Sequence, residues 1–170
     1  MTTLIRQIRQ DETPLLNHFL YEAIFIPEGV AAPPQSIIEN DDLQVYVRNF
    51  GHEPDDRCLV AECDGKIVGA VWSRIMHDYG HISDDTPSLA ISLYKEYRNQ
   101  GIGTELLERM IALLRNDGYS QVSLSVQKAN YAVGMYQKAG FEVMKETEEE
   151  YLMLCELKIV SKHWTSSRFP

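Results

Sequence analysis

The chain alternates between short segments of two hydrophobic periods. Leu4 to Ile8 reads as a strand. Asp11 to Phe25 carries apolar residues at helical spacing, Leu15, Phe19 and Ala23 beside Leu16, Leu20 and Ile24. Asp11 can cap that helix and Pro14 falls in its first turn. Pro27, Gly29, Pro33 and Pro34 break the chain into a loop, and a second helix is expected from Ser36 to about Phe50. Cys58–Cys63 and Ile67–Met76 are apolar runs separated by Asp64-Gly65, a dipeptide that favours a type I′ hairpin. A strand over Ser88–Tyr94 leads to a glycine-rich turn and a helix over Gly101–Asn116, striped by Ile102, Leu106, Met110 and Leu114 and closed by Gly118. Val122, Leu124 and Val126 alternate with Ser123, Ser125 and Gln127 in a half-buried strand. A short helix then starts at Asn130 and stops at Gly140. Phe141–Lys145 and Tyr151–Leu157 read as closing strands, joined by a solvated acidic turn of Glu146, Glu148, Glu149 and Glu150.

This order predicts a mixed sheet with helices on both faces. Its core should draw on Leu59, Val60, Ile67, Val68, Leu89, Ile91, Val122, Leu124 and Val126. The 170 residues fit one domain, expected over 1–158, with a tail over 159–170 that carries Trp164 and Phe169. No apolar run has the length of a membrane span, and the start carries no secretory pattern, so a cytoplasmic location is expected.

A net charge of −9 argues against a nucleic-acid partner, which needs a basic face. Acidity serves solubility and also suits a cationic partner such as an amine. Cys58, Cys63 and Cys155 lack zinc spacing and read as free buried thiols. Cys58 and Cys63 should face opposite sides of their strand. His77 and His81 flank a turn rather than a helix, so no metal site is expected.

The chemistry concentrates in Arg98-Asn99-Gln100-Gly101-Ile102-Gly103-Thr104. Glycines between a strand and a helix start let backbone N–H groups approach a phosphate at the positive end of the helix dipole. A Rossmann fingerprint would need glycine where Leu106 stands, and a Walker A loop would need Gly-Lys-Ser/Thr. What remains is Arg-x-x-Gly-x-Gly. Downstream lies Asn130-x-Ala132-x-x-x-Tyr136-x-Lys138-x-Gly140-Phe141.

With both halves present, the chain resembles the GNAT N-acetyltransferase superfamily. The motifs match over Pro87–Phe141 and the element order over about Leu4–Leu157. Phe25-Ile26-Pro27-Glu28-Gly29 and Thr86-Pro87-Ser88-Leu89-Ala90-Ile91 look like a bacterial subgroup. The resemblance implies an α+β fold, an αβα sandwich whose mixed, mostly antiparallel sheet splays between its central strands. It implies acetyl-CoA as cosubstrate and a primary amine, small molecule or peptide, as acceptor, with direct attack and no metal. The pantetheine arm would hydrogen-bond main chain at Ile91, Ser92 and Leu93. Arg98, Asn99, Gln100, Gly101, Ile102, Gly103 and Thr104 would wrap the pyrophosphate. Asn130 would bind the pantetheine arm, and Tyr136 would lie near the sulfur as general acid.

Physical chemistry supports these roles. Lys95, Arg98 and Lys128 can make a local positive patch for a polyanionic cofactor. A main-chain N–H near Leu93 can hold the oxyanion of thioester attack, and a tyrosine can protonate the departing thiolate. Plainer readings stand beside them: Tyr136 as a core ring, Asn130 as a helix cap, Arg98 as an exposed cation. For the base, Glu62, Asp84, Asp85 or a water chain placed by Ser92 or Ser125 are candidates. A non-catalytic acyl-CoA sensor on the same fold is the alternative function. A homodimer is compatible with either, and neither calls for a membrane.

Overall fold

The computed structural model describes residues 2–76 and 81–157. The Gly65 turn that separates two apolar runs does form a hairpin, with Asp64 and Gly65 both left-handed at φ 49° and 84°. It joins β2 (Arg57–Cys63) to β3 (Lys66–Arg74) in a seven-stranded sheet with β1 (Thr3–Gln7), β4 (Ser88–Leu93), β5 (Gln121–Gln127), β6 (Glu142–Glu146) and β7 (Glu150–Glu156). The order is β1-β2-β3-β4-β5-β7-β6. Every neighbouring pair is antiparallel except β4 and β5, so the expected mixed, mostly antiparallel sheet is found.

Helices cover both faces because the strands alternate. On β2, Cys58 and Val60 pack with Leu16, Phe19 and Leu20 of α1 (Leu16–Glu22), on the face that also carries α2 (Asp41–Gln44). Leu59, Ala61 and Cys63 pack with Leu106, Leu107 and Met110 of α3 (Ile102–Asn116), on the face that also carries α4 (Ala132–Ala139). Cys58 and Cys63 therefore face opposite sides. Of the expected core, Leu59, Val60, Val68, Leu89, Val122, Leu124 and Val126 are buried, and Ile67 and Ile91 are half-buried. The strand at 121–127 is more enclosed than its alternation predicts, because Ser123 is buried in mid-sheet as well.

Two helices depart from expectation. The one expected from Asp11 starts as a tight 3₁₀ turn over Gln10–Leu15 and ends at Glu22. The one expected over Ser36–Phe50 is broken: a 3₁₀ turn over Gln35–Glu39, an extended Asn40 with ψ 138°, then only the single turn of α2. Side chains from β3 capture the carbonyls that a longer helix would use. Arg74 donates to Val45 O at 3.1 Å and Arg48 O at 2.9 Å, and Trp72 Nε1 donates to Tyr46 O at 3.1 Å. Tertiary partners here outweigh local helical period. The tail over 159–170 and His77 lie outside the described residues.

Candidate active site

The sheet opens where its parallel neighbours β4 and β5 meet. β4 and β5 share a single pairing, Ser88↔Ser123, with Ser123 N–H donating to Pro87 O at 3.0 Å. Beyond it, two ladders fix what faces the gap. Tyr94 N–H donates to Val68 O at 3.0 Å, which sets the phase of the β3–β4 ladder. Alternation then turns the N–H and C=O groups of Ile91 and Leu93 away from β3, towards β5. Lys128 N–H donates to Glu149 O at 2.8 Å, which sets the β5–β7 ladder and turns Ser125 and Gln127 towards β4. Two strands therefore present main-chain donors and acceptors to each other across a gap too wide to pair.

A cavity of about 1430 Å³ occupies that gap. Ile91, Ser92, Leu93, Arg98, Asn99, Gly101, Gly103, Thr104, Asn130 and Tyr136 all line it, so the structure gathers both halves of the sequence motif into one cleft. Two side chains of the motif turn elsewhere. Ile102 is buried in the core under α3, and Gln100 turns back so that its Nε2 donates to Glu96 O at 2.9 Å.

The loop before α3 owes its shape to two left-handed residues, Asn99 at φ 61° and Gly101 at φ 86°. Such alternation curls successive N–H groups into one concavity. The first intrahelical bond runs from Glu105 N–H to Gly101 O at 3.1 Å, so the N–H groups of Ile102, Gly103 and Thr104 precede the ladder. A Cβ on Gly103 would meet only Leu93 Cδ1 at 3.4 Å and Met135 Sδ at 3.6 Å, so the protein itself tolerates one there.

Arg98 is neither an exposed cation nor aimed at that concavity. Its Nε donates to Leu93 O at 3.1 Å, and its terminal nitrogen reaches Glu22 O at 3.3 Å and Glu22 Oε1 at 3.1 Å. It braces the end of β4 against the C-terminus of α1, where its charge also meets the helix dipole. Lys128 is likewise engaged, by Glu146 and by the Tyr151 ring at 5.3 Å. Of the expected positive patch, Lys95 stays exposed on the cavity wall.

Asn130 does act as a cap: its Oδ1 accepts from Ala132 N–H at 2.9 Å at the start of α4. Tyr136, one and a half turns on, is buried with its ring edge-on to Phe141 at 5.8 Å. Burial pushes its hydroxyl pKa well above the ordinary phenol value. Among the described residues that hydroxyl takes no hydrogen bond, while its side chain borders the cavity.

The candidate bases fare differently. Glu62 lies on β2, two strands from the fork, held by Arg6 at 3.0 Å. Asp84 is exposed beside His81, and Asp85 accepts from Ser83 Oγ at 2.6 Å; none of the three carboxylates borders the cleft. Ser92 borders it, but its Oγ donates to Phe19 O at 2.6 Å, whereas Ser125 opens on the cavity. The carboxylates that do line it are Glu22, Glu28, Glu96 and Glu150. The sequence reading missed these, since Glu150 sat in what looked like a solvated turn and the others in loops or a helix end. Among the described residues, no cluster of His, Cys, Asp and Glu could hold a metal, and no helix is long and apolar enough to cross a membrane.

A forked sheet, a concave glycine loop and a buried phenol at the fork thus meet in one cleft. The profile of the Acetyltransferase (GNAT) family matches residues 19–141, and the chain belongs to that family. It is 33% identical over 111 residues to an N-alpha-acetyltransferase of Saccharolobus solfataricus, covering 56% of this chain and 66% of that one. It is 34% identical over 86 residues to N-alpha-acetyltransferase 50 of Danio rerio, covering 49% of each. The matched stretch thus spans under two thirds of the first and about half of the second. The expected bacterial subgroup is not borne out, since these relatives are archaeal and animal. Among solved structures, the PaiA N-acetyltransferase of Thermoplasma acidophilum in complex with coenzyme A superposes with a TM-score of 0.65 at 20% identity, over 92% of this chain and 99% of that one.

Proposed function

We propose that this chain transfers the acetyl group of acetyl-CoA to a primary amine by direct attack, with Tyr136 as general acid. The observation that carries the reading is the forked β4–β5 junction, with the phosphate-shaped loop at one end and Tyr136 beside it. The pantetheine arm would lie as an added strand against Ile91 and Leu93, and Gly101 to Thr104 would hold the pyrophosphate. Leu93 N–H would receive the oxyanion. Relatives named as N-alpha-acetyltransferases support an amine acceptor.

The raised pKa of Tyr136 bears on the acid step. The same dry surroundings that keep the phenol neutral also raise the proton affinity of a thiolate formed there, so transfer between them stays accessible. Tyr136→Phe removes one oxygen and keeps the ring. Its kcat should fall by about 10²–10⁴-fold, with the acetyl-CoA dissociation constant unchanged within a few-fold. Full turnover in that variant would leave Tyr136 a packing residue and assign the acid to water. Tight acetyl-CoA binding with no turnover on any amine would favour the non-catalytic sensor.

A further inference from the structure

Four carboxylates line the cleft, and their surroundings differ. Glu22 is neutralised by Arg98 at 3.1 Å. Glu96 stands in the short turn Lys95–Tyr97 that leads into the phosphate loop, where an anionic cofactor would repel a cation's partner. Glu28 is exposed on the loop after α1. Glu150 is half-buried at the first residue of β7, and among the described residues its carboxylate has neither a hydrogen bond nor an ion pair. Its backbone is bound instead, the N–H donating to Thr147 Oγ1 at 3.1 Å and the C=O accepting from Thr147 N–H at 2.9 Å.

The register places it. Glu150 pairs with Gln127, and directly paired residues share a sheet face. Met153 and Cys155 of β7 face α3, so Glu150, an odd three positions before Met153, faces the α1 side. Extending the parallel pairing Ser88↔Ser123 by four residues sets Gln127 level with Ser92. Glu150 therefore stands one strand beyond the gap, at the level where Leu93 N–H enters it. It lies on the face opposite Tyr136, which packs with the α3 and α4 core. With Tyr136 on one face of the fork, an amine bound at Glu150 would approach a thioester carbonyl in the gap from the other, leaving the sulfur to the acid.

The rest of the α1-side wall is mostly apolar, with Phe25, Ile26 and Val30 of the loop, Leu43 and Tyr46 around α2, and Glu28 exposed among them. Val30 is 57% exposed at the cavity wall. We infer that Glu150 receives the acceptor's ammonium group and that the acceptor is an amine of single positive charge on an apolar body. This rests on the acetyl-transfer reading of the same cleft. A half-buried carboxylate with no cation partner among the described residues supplies the charged partner; of the other cleft carboxylates Glu22 is held by Arg98 while Glu28 and Glu96 are exposed, so the apolar wall favours an apolar body over a second buried charge.

The test uses the full chain with 2-phenylethylamine, a peptide beginning with phenylalanine, and spermidine. The wild type should turn over one of the first two with at least tenfold greater kcat/KM than spermidine. Glu150→Gln should raise KM for that amine about tenfold or more, as loss of a charge-assisted hydrogen bond does, and Glu150→Asp should fall between. The acetyl-CoA dissociation constant and melting temperature of the variants should match the wild type, which separates recognition from folding. Glu149→Gln removes a neighbouring exposed charge and should leave KM alone. An unchanged KM in Glu150→Gln, or an equal rise in Glu149→Gln, overturns the role of Glu150. Preference for spermidine overturns the acceptor class. If the wild type acetylates no amine, the transfer reading fails and this one with it, whereas turnover with an insensitive Glu150 sinks only the inference.

Discussion

At the scale of single residues, the best-defined electrostatic feature lies far from the cleft. Arg6 grips Glu12 with two bonds of 2.9 Å, and Arg9 adds a backbone bond of 2.8 Å to the same carboxylate. The side-chain bonds from Arg6 hold the Glu12 carboxyl down at about 2, against opposing burial. A carboxyl depressed on folding contributes stability above its unfolded value of ~4.3 and loses it as pH falls through the folded value. Glu12→Gln should therefore melt lower than wild type near neutral pH. The two curves should converge as pH drops from about 4 to 2, measured by thermal melts over that range; a gap that stays constant with pH would mean that Glu12 acts by packing alone. Arg98 teaches a related lesson. Its place in Arg-x-x-Gly-x-Gly marks the motif, but its side chain is spent on Leu93 O and Glu22, so its contribution to the site is to hold two elements in register.

At the scale of elements, the phosphate loop and β5 invite separate tests. With the pyrophosphate at Gly101 to Thr104 as proposed, Gly103→Val would crowd its approach to the backbone, and acetyl-CoA affinity should drop at least about tenfold, or ~1.4 kcal/mol. Calorimetric titration showing equal affinity would move the pyrophosphate off this loop. Leu124→Ala cuts a side chain that is 2% exposed in mid-sheet and should cost about 2–5 kcal/mol in denaturant melts. A loss under ~1 kcal/mol would contradict that burial. The glycine turn and the buried face of β5 were legible in sequence, because turn chemistry and strand alternation are local signals. The hairpin at Asp64-Gly65, the α3 stripe and the caps at Gly118 and Gly140 were legible for the same reason. The broken helix after Ser36 was not, since Arg74 and Trp72 reach it from β3, some 26 to 29 residues away in sequence. Glu150 was not either: its role depends on the β5–β7 register, and an acidic run between strands carries no mark of which member turns inward.

At the scale of the whole molecule, the sheet is two blocks with a weak seam. β1 to β4 form one ladder and β5, β7 and β6 another, joined by the Ser88↔Ser123 pairing and by packing under α3. Beyond that pairing, main-chain groups of Ile91, Leu93, Ser125 and Gln127 face the gap. Their amide protons should exchange faster than those of neighbours bonded within either ladder, such as Ser92 or Val126. A pantetheine arm laid in the gap would supply the missing strand, so acetyl-CoA should slow exchange at Ile91 and Leu93. Adenosine 3′,5′-bisphosphate carries phosphates but no pantetheine arm. At equal saturation it should protect Gly101 to Thr104 and leave Ile91 and Leu93 as they were. Exchange followed residue by residue with each ligand separates the two contributions. Protection of Ile91 and Leu93 by the bisphosphate alone would mean that loop occupancy tightens the whole seam. No protection of those amides by acetyl-CoA would mean that the arm runs elsewhere, and with it the thioester placed beside Tyr136.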